Sequence, residues 1–296
     1  MSEFSHLIIG GATRAGTTSL FIYLSDHPEV CGASIKETRF FLDEDYPLQA
    51  KFRYRQGMNK YKEYFKHCKG EPIRLEATPD YLYSTGTPRR IREALPEAKL
   101  LFILRDPIER LVSWYKFARQ LCHLSPKVSF DEYVRLQLQR EGDSGPVDQH
   151  MLALEQGRYS IYLKTYFKTF PNDAIRIYSY EAFQSETLDL MMKISRFVGI
   201  DSTFYKDYDF KVFNPAYPLR SARFYGVYHR FSQGLRHSVH DKPRLRAVLR
   251  TIRRRFEPFL LRPFLHLDEK TVISEPIKAL LDEYYRDEYD ALAKLF

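Results

Sequence analysis

HLIIGGATRAGTTSLFIYL, residues 6–24, is the stretch of sequence that decides the fold. Its apolar start, HLIIG (6–10), predicts a buried β-strand, and the pattern from Gly16 onward, with Leu20 and Leu24 on one face, predicts an α-helix. A glycine-rich loop joins the two. Backbone N–H groups in such a loop, together with the positive end of the helix that follows, form a binding site for an anion.

Further along the chain, short apolar runs alternate with helical patterns. Strands are predicted at 72–77, 99–104 and 174–180, and helices at 87–95, from Asp106, at 158–170, 181–198 and 275–295. Thr87 is predicted to cap its helix, and Asp106 with Glu109 is predicted to form a capping box. The alternation predicts one α/β domain over residues 1–296: a central parallel sheet flanked by helices, P-loop-like, with ligands at the carboxyl ends of the strands.

The positive charge is concentrated in one segment. Twelve Lys or Arg against two acids lie between Arg220 and Arg262, so this stretch carries +10 and the rest of the chain −2. We therefore expect a basic helical insertion at about 214–265 that makes peripheral contact with an anionic surface. No zinc-finger or RNP-like string appears, so nucleic acid is not an expected partner.

The cysteines and the absence of targeting patterns suggest a location. Cys31, Cys68 and Cys122 have no CxxC spacing and are expected to be free thiols in a reducing compartment. The sequence has no charged n-region with an apolar core at its start, and no run of about 18 apolar residues. We therefore expect a cytoplasmic protein.

The loop has the spacing of a Walker A motif, but Thr17 stands where a nucleoside-triphosphate enzyme needs its lysine. The positive charge lies instead at Arg14, inside the loop. Such a loop suits a terminal anion better than ATP with magnesium. Two alternatives stay open: a P-loop nucleotide-binding enzyme such as a kinase, and a non-catalytic module whose basic segment docks on membranes or acidic proteins.

The loop resembles the 5′-phosphosulfate loop of sulfotransferases that use 3′-phosphoadenosine-5′-phosphosulfate (PAPS), whose usual form carries Lys-x-Gly-Thr. Residues 104–115, LRDPIERLVSWY, are similar to the family's 3′-phosphate site. The resemblance implies PAPS as co-substrate, with no metal required. It implies that Arg105 and Ser113 bind the 3′-phosphate, and that a basic loop closes over the nucleotide at Arg220 and Ser221. The phosphosulfate contacts that it implies are Arg14, Ala15, Gly16, Thr17, Thr18 and Ser19.

KETRFF (36–41) and LEATPDY (75–81) resemble the heparan-sulfate type of sulfotransferase and its bacterial relatives. In that type the glutamate before x-x-Phe-Phe is the catalytic base, which implies this role for Glu37, with Arg14 stabilising the departing group. Arg39, Glu76 and Tyr81 are the expected substrate contacts, although a plain salt bridge explains Arg39 equally well. Ala77 stands where several relatives have an active-site lysine. The expected acceptor is a hydroxyl, less often an amine, of a carbohydrate or small metabolite.

Overall fold

The computed structural model describes residues 4–121, 123–125, 127–140, 148–211 and 271–295. The strands are β1 Ser5–Gly11, β2 Val30–Gly32, β3 Ile73–Ala77, β4 Lys99–Leu104 and β5 Ile175–Ser179. The helices are α1 Thr17–Ser25, α2 Met58–Lys62, α3 Thr87–Ala94, α4 Pro107–Gln120, α5 Phe130–Gln139, α6 Tyr159–Thr169, α7 Tyr180–Ser185, α8 Thr187–Val198, α9 Glu275–Tyr284 and α10 Arg286–Leu292. All strand pairs are parallel, in the order β2-β3-β1-β4-β5. The predicted α/β class, a parallel sheet flanked by helices, is confirmed.

Two of the three inner strands, β1 and β4, are continuous apolar runs because both of their faces are covered. Leu7, Ile8 and Ile9 in β1, and every residue of β4 from Leu100 to Leu104, are at most 1% exposed. Strands covered on both faces lose the polar alternation that a half-exposed strand shows. This burial holds the strands in register, and the register sets where each strand ends relative to its neighbours.

Strand β1 lies between β3 and β4, and the chain crosses from one side of it to the other. The segments that follow these three strands therefore meet at one edge of the sheet, at the point where the strand order reverses. Ligand crevices of open α/β sheets form at this point. The loop after Gly11, the turn after Ala77 and Arg105 after β4 all lie there.

Several details of the elements differ from the prediction. The helices predicted at 181–198 and 275–295 are each two helices, α7 with α8 and α9 with α10. Helix α3 is capped by Gly86, so Thr87 as N-cap is wrong; its hydroxyl donates to the Phe41 carbonyl at 2.8 Å instead. The Asp106 carboxylate accepts the Glu109 N–H at 2.8 Å, but the Glu109 carboxylate pairs with Arg105, so only half of the capping box forms. Strand β2, three residues long, was not predicted.

The chain divides into two compact units. One comprises Met1–Arg110, Leu154–Asn214 and Leu280–Phe296 and contains the sheet; the other comprises Leu111–Ala153 and Pro215–Ala279 and contains α5. That residues 1–296 form a single domain stays a prediction, and the basic helices expected at 214–265 lie outside the described residues. No helix in the described part of the chain is long and apolar enough to cross a membrane.

Candidate functional site

The glycine loop has the predicted strand–loop–helix form. Strand β1 ends at Gly11, and Gly16, with φ 75°, caps α1. The first N–H groups of α1 have no partner within the helix and carry its partial positive charge. Arg14 is also left-handed, with φ 66°, a backbone conformation that is uncommon for a residue with a side chain. Strain of this kind concentrates at ligand-binding sites.

Close packing is a second reason for the glycines. A Cβ atom at Gly11 would lie 2.9 Å from the Cβ of Leu82, and one at Gly16 would lie 2.9 Å from the Tyr180 ring. Real Cβ atoms essentially never approach so closely. The loop therefore owes its glycines to its neighbours as well as to any anion that it binds.

A buried arginine, Arg110, holds the glycine loop in place. Arg110 is fully buried, so its charge is structural and not solvated. Its Nη1 donates to the Thr13 hydroxyl at 3.1 Å, and its guanidinium lies 5.8 Å and 5.7 Å from the ring centres of Tyr83 and Tyr159. The loop is thus attached to the first turn of α4.

The segment that carries Glu37 is attached to the end of β3. The Glu37 N–H donates to the Ala77 carbonyl at 2.8 Å, and the Arg39 N–H donates to the Thr78 hydroxyl at 3.1 Å. Glu37 and Arg39 both have left-handed backbones, with φ 64° and 58°. Because β3 pairs with β1, this strained turn lies beside the glycine loop at the same edge of the sheet.

Each oxygen of the Glu37 carboxylate meets one cation. Lys36 Nζ lies 3.2 Å from Oε1, and Arg39 Nη2 lies 3.0 Å from Oε2. Burial raises the pKa of Glu37, but the charges of Lys36 and Arg39 outweigh it, so the pKa lies below its usual value. The side chain is 32% exposed and, being ionised at neutral pH, can accept a proton from a bound molecule.

Arg39 forms the salt bridge that the sequence allowed as an alternative, and its Nη1 also donates to the Gln49 carbonyl at 3.0 Å. Lys36 was not assigned a role from the sequence, although its position next to Glu37 was visible. Ala77, at the end of β3, is buried and carries no charge. The cations that contact Glu37, Lys36 and Arg39, come from its own segment.

A second carboxylate, Glu76, lies beneath this segment with no exposed surface. Four hydroxyls donate to it: Tyr61 at 2.8 Å, Thr78 at 3.2 Å, Thr38 and Tyr81. Burial raises its pKa in spite of these hydrogen bonds. Glu76 and Tyr81 are both fully buried, so they organise the base of the site; contact between either one and an acceptor stays a prediction.

A third carboxylate was missed from the sequence, although it stands within LEATPDY. Asp80 is 4% exposed and accepts a hydrogen bond from the Tyr46 hydroxyl at 3.1 Å. Burial, and then the negative charge of Glu37, raise its pKa to about 7. A buried acid is a poor candidate for a site from sequence alone, because nothing in its spacing shows that water is excluded.

Arg105 lies just past the end of β4, as predicted. Its Nη2 pairs with Glu109 at 3.2 Å, its guanidinium lies 4.9 Å from the centre of the Tyr180 ring, and its carbonyl accepts the Tyr159 hydroxyl at 2.9 Å. Glu109 is exposed, so this ion pair is weak and exchangeable.

Of the three remaining predicted site residues, the structure describes one. Ser113 is buried in α4, within the second compact unit. Arg220 and Ser221 lie outside the described residues.

The expectation of free thiols is wrong for two cysteines. Cys31 in β2 and Cys68 form a disulfide, with Cα atoms 5.8 Å apart and positions 37 apart in sequence. Sequence spacing does not show this pairing, because the fold brings the segment around Cys68 back beside strand β2. A cytoplasmic location therefore stays a prediction without support from these cysteines; Cys122 lies outside the described residues.

Comparisons with known proteins agree with this arrangement. The chain is 27% identical over 223 residues to mouse bifunctional heparan sulfate N-deacetylase/N-sulfotransferase 1, covering 68% of this chain and 23% of that protein. It is 28% identical over 198 residues to human heparan sulfate glucosamine 3-O-sulfotransferase 6, covering 67% of this chain and 53% of that protein. The chain thus spans about a quarter and about half of these relatives.

A crystal structure of a sulfotransferase from Alicyclobacillus acidocaldarius matches 70% of this chain and 83% of its own, with a TM-score of 0.58 and 27% identity. Residues 4–215 match the family model of the sulfotransferase domain. This match covers the glycine loop, Glu37 and its buried neighbours, and Arg105. The chain therefore belongs to the sulfotransferase domain family.

Proposed function

We propose that this enzyme transfers a sulfuryl group from PAPS to a hydroxyl of a carbohydrate or small metabolite, with Glu37 as the base. One observation carries the proposal: an ionised, part-exposed carboxylate is held in a strained turn beside the glycine loop. A carboxylate oxygen has two lone-pair directions, so each oxygen can accept from an acceptor hydroxyl while keeping its cation.

The residues around the loop suit the donor. Arg14 and the backbone N–H groups of residues 15–19 offer positive charge for a phosphosulfate, where negative charge grows as the donor leaves. Arg105, with Ser113, is proposed for the 3′-phosphate, and Arg220 with Ser221 for a closing loop. The exposed ion pair of Arg105 with Glu109 costs little to exchange for a phosphate.

The proposed reaction is an in-line displacement. Glu37 takes the proton of the acceptor hydroxyl, the acceptor oxygen bonds to sulfur, and the bond from sulfur to the 5′-phosphate oxygen breaks. Adenosine-3′,5′-bisphosphate leaves with that electron pair. Positioning both reactants supplies much of the rate, and general-base help typically adds a factor of about 10² to 10⁴. Since the chain supplies the base and the positive charge, we propose that the transfer needs no metal.

A hydroxyl is favoured over an amine because an amine that is protonated at neutral pH must lose a proton before it can attack. A hydroxyl oxygen keeps a lone pair for the attack at neutral pH and passes its proton to the base as the bond to sulfur forms. The names of the relatives in the comparisons support a carbohydrate acceptor. Three exposed cations follow the Glu37 segment in the chain and suit an anionic acceptor: Lys51, Arg55 and Lys62.

Thermal shift with adenosine-3′,5′-bisphosphate, compared with ATP and magnesium, tests the donor. We expect stabilisation by the bisphosphate without metal, and its loss in Arg105→Ala. No response to the bisphosphate would refute PAPS as donor, and a response to ATP with magnesium alone would favour a kinase. Labelled PAPS with a panel of sugars and small alcohols, with and without chelator, then identifies the acceptor and tests the independence from metal.

Lipid vesicles test the remaining alternative, a docking module. Binding to anionic vesicles by a chain that transfers no sulfuryl group to any acceptor would support docking instead of catalysis.

A further inference from the structure

Three metal-ligating side chains converge beside β2, the outermost strand of the sheet, away from the proposed transfer site. Cys31 is buried in β2, while His67 and Cys68 follow the short 3₁₀ turn Glu63–Phe65. The His67 Nε2 atom lies 3.6 Å from Cys31 Sγ, and the ligand atoms of all three residues lie within 4.8 Å of one another. Among the described residues this is the one group of His, Cys, Asp and Glu side chains that is arranged to hold a metal ion.

We infer that Cys31, His67 and Cys68 form a redox-gated zinc site: a disulfide when oxidised, and three ligands for Zn²⁺ when reduced. Two thiolates and an imidazole are a ligand set that zinc prefers, and water would take the fourth position. His67 is exposed and Cys68 is half-buried, so an ion reaches the site directly from solvent. The inference concerns a binding site and does not depend on the proposed donor, base or acceptor.

The observed spacing fits tetrahedral zinc. Zinc–sulfur and zinc–nitrogen bonds of about 2.3 Å and 2.05 Å at a tetrahedral angle put sulfur and nitrogen about 3.6 Å apart. The distance from Cys31 Sγ to His67 Nε2 already has this value, 3.6 Å. The two sulfurs need a separation of about 3.8 Å in the same geometry. Cys68 can supply that movement because it lies past the 3₁₀ turn, between exposed His67 and Lys69.

The chemistry balances with one external reagent. A dithiol reductant gives two electrons and two protons to the disulfide, which becomes two thiols, and is itself oxidised to a disulfide. Zinc then binds the two thiolates, and the two protons pass to solvent. Oxidation of the thiols removes both thiolate ligands, so the disulfide and the metal exclude one another.

Either state closes the same loop. Residues 32–67 include Glu37, and the start of this segment is fixed by the Ala33 N–H donating to Leu75 and the Ser34 N–H donating to Tyr64, both at 2.8 Å. Zinc would therefore restore the closure that reduction opens, and the loop need not unfold in a reducing environment. The site would thus keep the loop of residues 32–67 closed in both redox states.

Titration of the full chain with Zn²⁺ against a chromophoric chelator, in reduced and oxidised forms, tests the inference. We expect one equivalent to bind to the reduced protein and none to the oxidised protein. Co²⁺ bound to the reduced protein should give thiolate-to-metal charge-transfer absorption together with intense visible bands of tetrahedral cobalt. Cys122→Ser, which leaves the three ligands intact, serves as the control and should bind like the parent.

His67→Ala is the decisive variant because it removes an exposed ligand and leaves the disulfide in place. Losing a direct ligand should weaken zinc binding by at least about 10- to 100-fold, the range that loss of an outer-shell partner costs. Cys31→Ser should abolish the charge-transfer band or reduce it by half. Zinc affinity that is equal in the reduced parent and in His67→Ala, or equal in reduced and oxidised protein, would overturn the inference.

Discussion

The glycine loop and the Glu37 segment stand side by side at one edge of the sheet, yet they are built by different means. The loop relies on main chain: a left-handed Gly16 cap, helix N–H groups and close approaches that exclude a Cβ. Beyond its backbone hydrogen bond to Ala77, the Glu37 segment relies on side chains: Lys36 and Arg39 contact the carboxylate, and hydroxyls contact the buried Glu76.

This difference explains which of the two halves of the site, the glycine loop or the Glu37 segment, tolerates a change of residue. A cradle of backbone N–H groups stays in place when its one cation changes from lysine to arginine, as at Arg14. A network of side chains does not, because removing one partner leaves a buried polar group without its hydrogen bond. We therefore expect substitutions in the Glu37 half to have larger effects than charge-preserving substitutions in the loop.

The largest effect is expected for Glu37→Gln. The amide keeps the shape of the side chain but cannot take a proton, so kcat should fall by about 10² to 10⁴ while the affinity for adenosine-3′,5′-bisphosphate changes little. Steady-state kinetics and calorimetric titration measure the two quantities. Glu93→Gln, which removes a carboxylate paired with Arg89 at 2.8 Å on α3, is the control and should leave both unchanged. Turnover retained in Glu37→Gln would remove Glu37 from the mechanism.

Asp80→Asn should change how stability depends on pH. The pKa of Asp80 is about 7 in the folded protein against an ordinary 3.8, so its contribution to stability is complete below about pH 4 and is lost as pH rises through 7. The span corresponds to at most about 4 kcal/mol. Asparagine can keep the hydrogen bond from Tyr46 without the charge. The variant should therefore match the parent near pH 4 and be more stable at pH 8.

Urea unfolding across this pH range measures the effect. Asp43→Asn is the matched control with the opposite sign, because hydrogen bonds from Ser84 and Arg90 outweigh burial and lower the pKa of Asp43. That variant should lose stability at neutral pH. Equal pH dependence in the parent and in Asp80→Asn would show that Asp80 is not the group that titrates.

Gly16→Ala tests the main-chain half. The left-handed φ of 75° and a Cβ placed 2.9 Å from Tyr180 should together cost about 3 kcal/mol in the free energy of unfolding. Gly199 is also left-handed, at φ 89°, but nothing lies near its Cβ position, so it reports the backbone strain alone. Gly199→Ala should cost about 1 kcal/mol. Denaturant unfolding of both variants gives the difference; equal losses would show that packing against Tyr180 does not fix the loop.

The sequence predicts the structure well where a residue's position follows from the residues next to it in the chain. The apolar runs of β1 and β4, the loop between β1 and α1, and Arg105 at a strand end follow from local pattern, and the structure has them all. The hydroxyls around Glu76, the burial of Asp80 and the Cys31–Cys68 pair depend on contacts between residues distant in sequence. Contacts of this kind leave no periodic signal in the sequence, and the expectation of free thiols failed for this reason.

The smallest effect is expected for Arg14→Lys, which restores the family's usual residue type in the loop. If the loop works chiefly through its backbone, the swap should change kcat by less than about tenfold, since both side chains carry the charge and differ in geometry. Arg14→Ala should cost about 10² to 10³ in kcat, the usual loss for one group that stabilises charge in the transition state. Kinetics with PAPS and the identified acceptor compare the two. A loss in Arg14→Lys as large as that in Arg14→Ala would mean that the guanidinium's forked geometry, and not its charge, is what the loop requires.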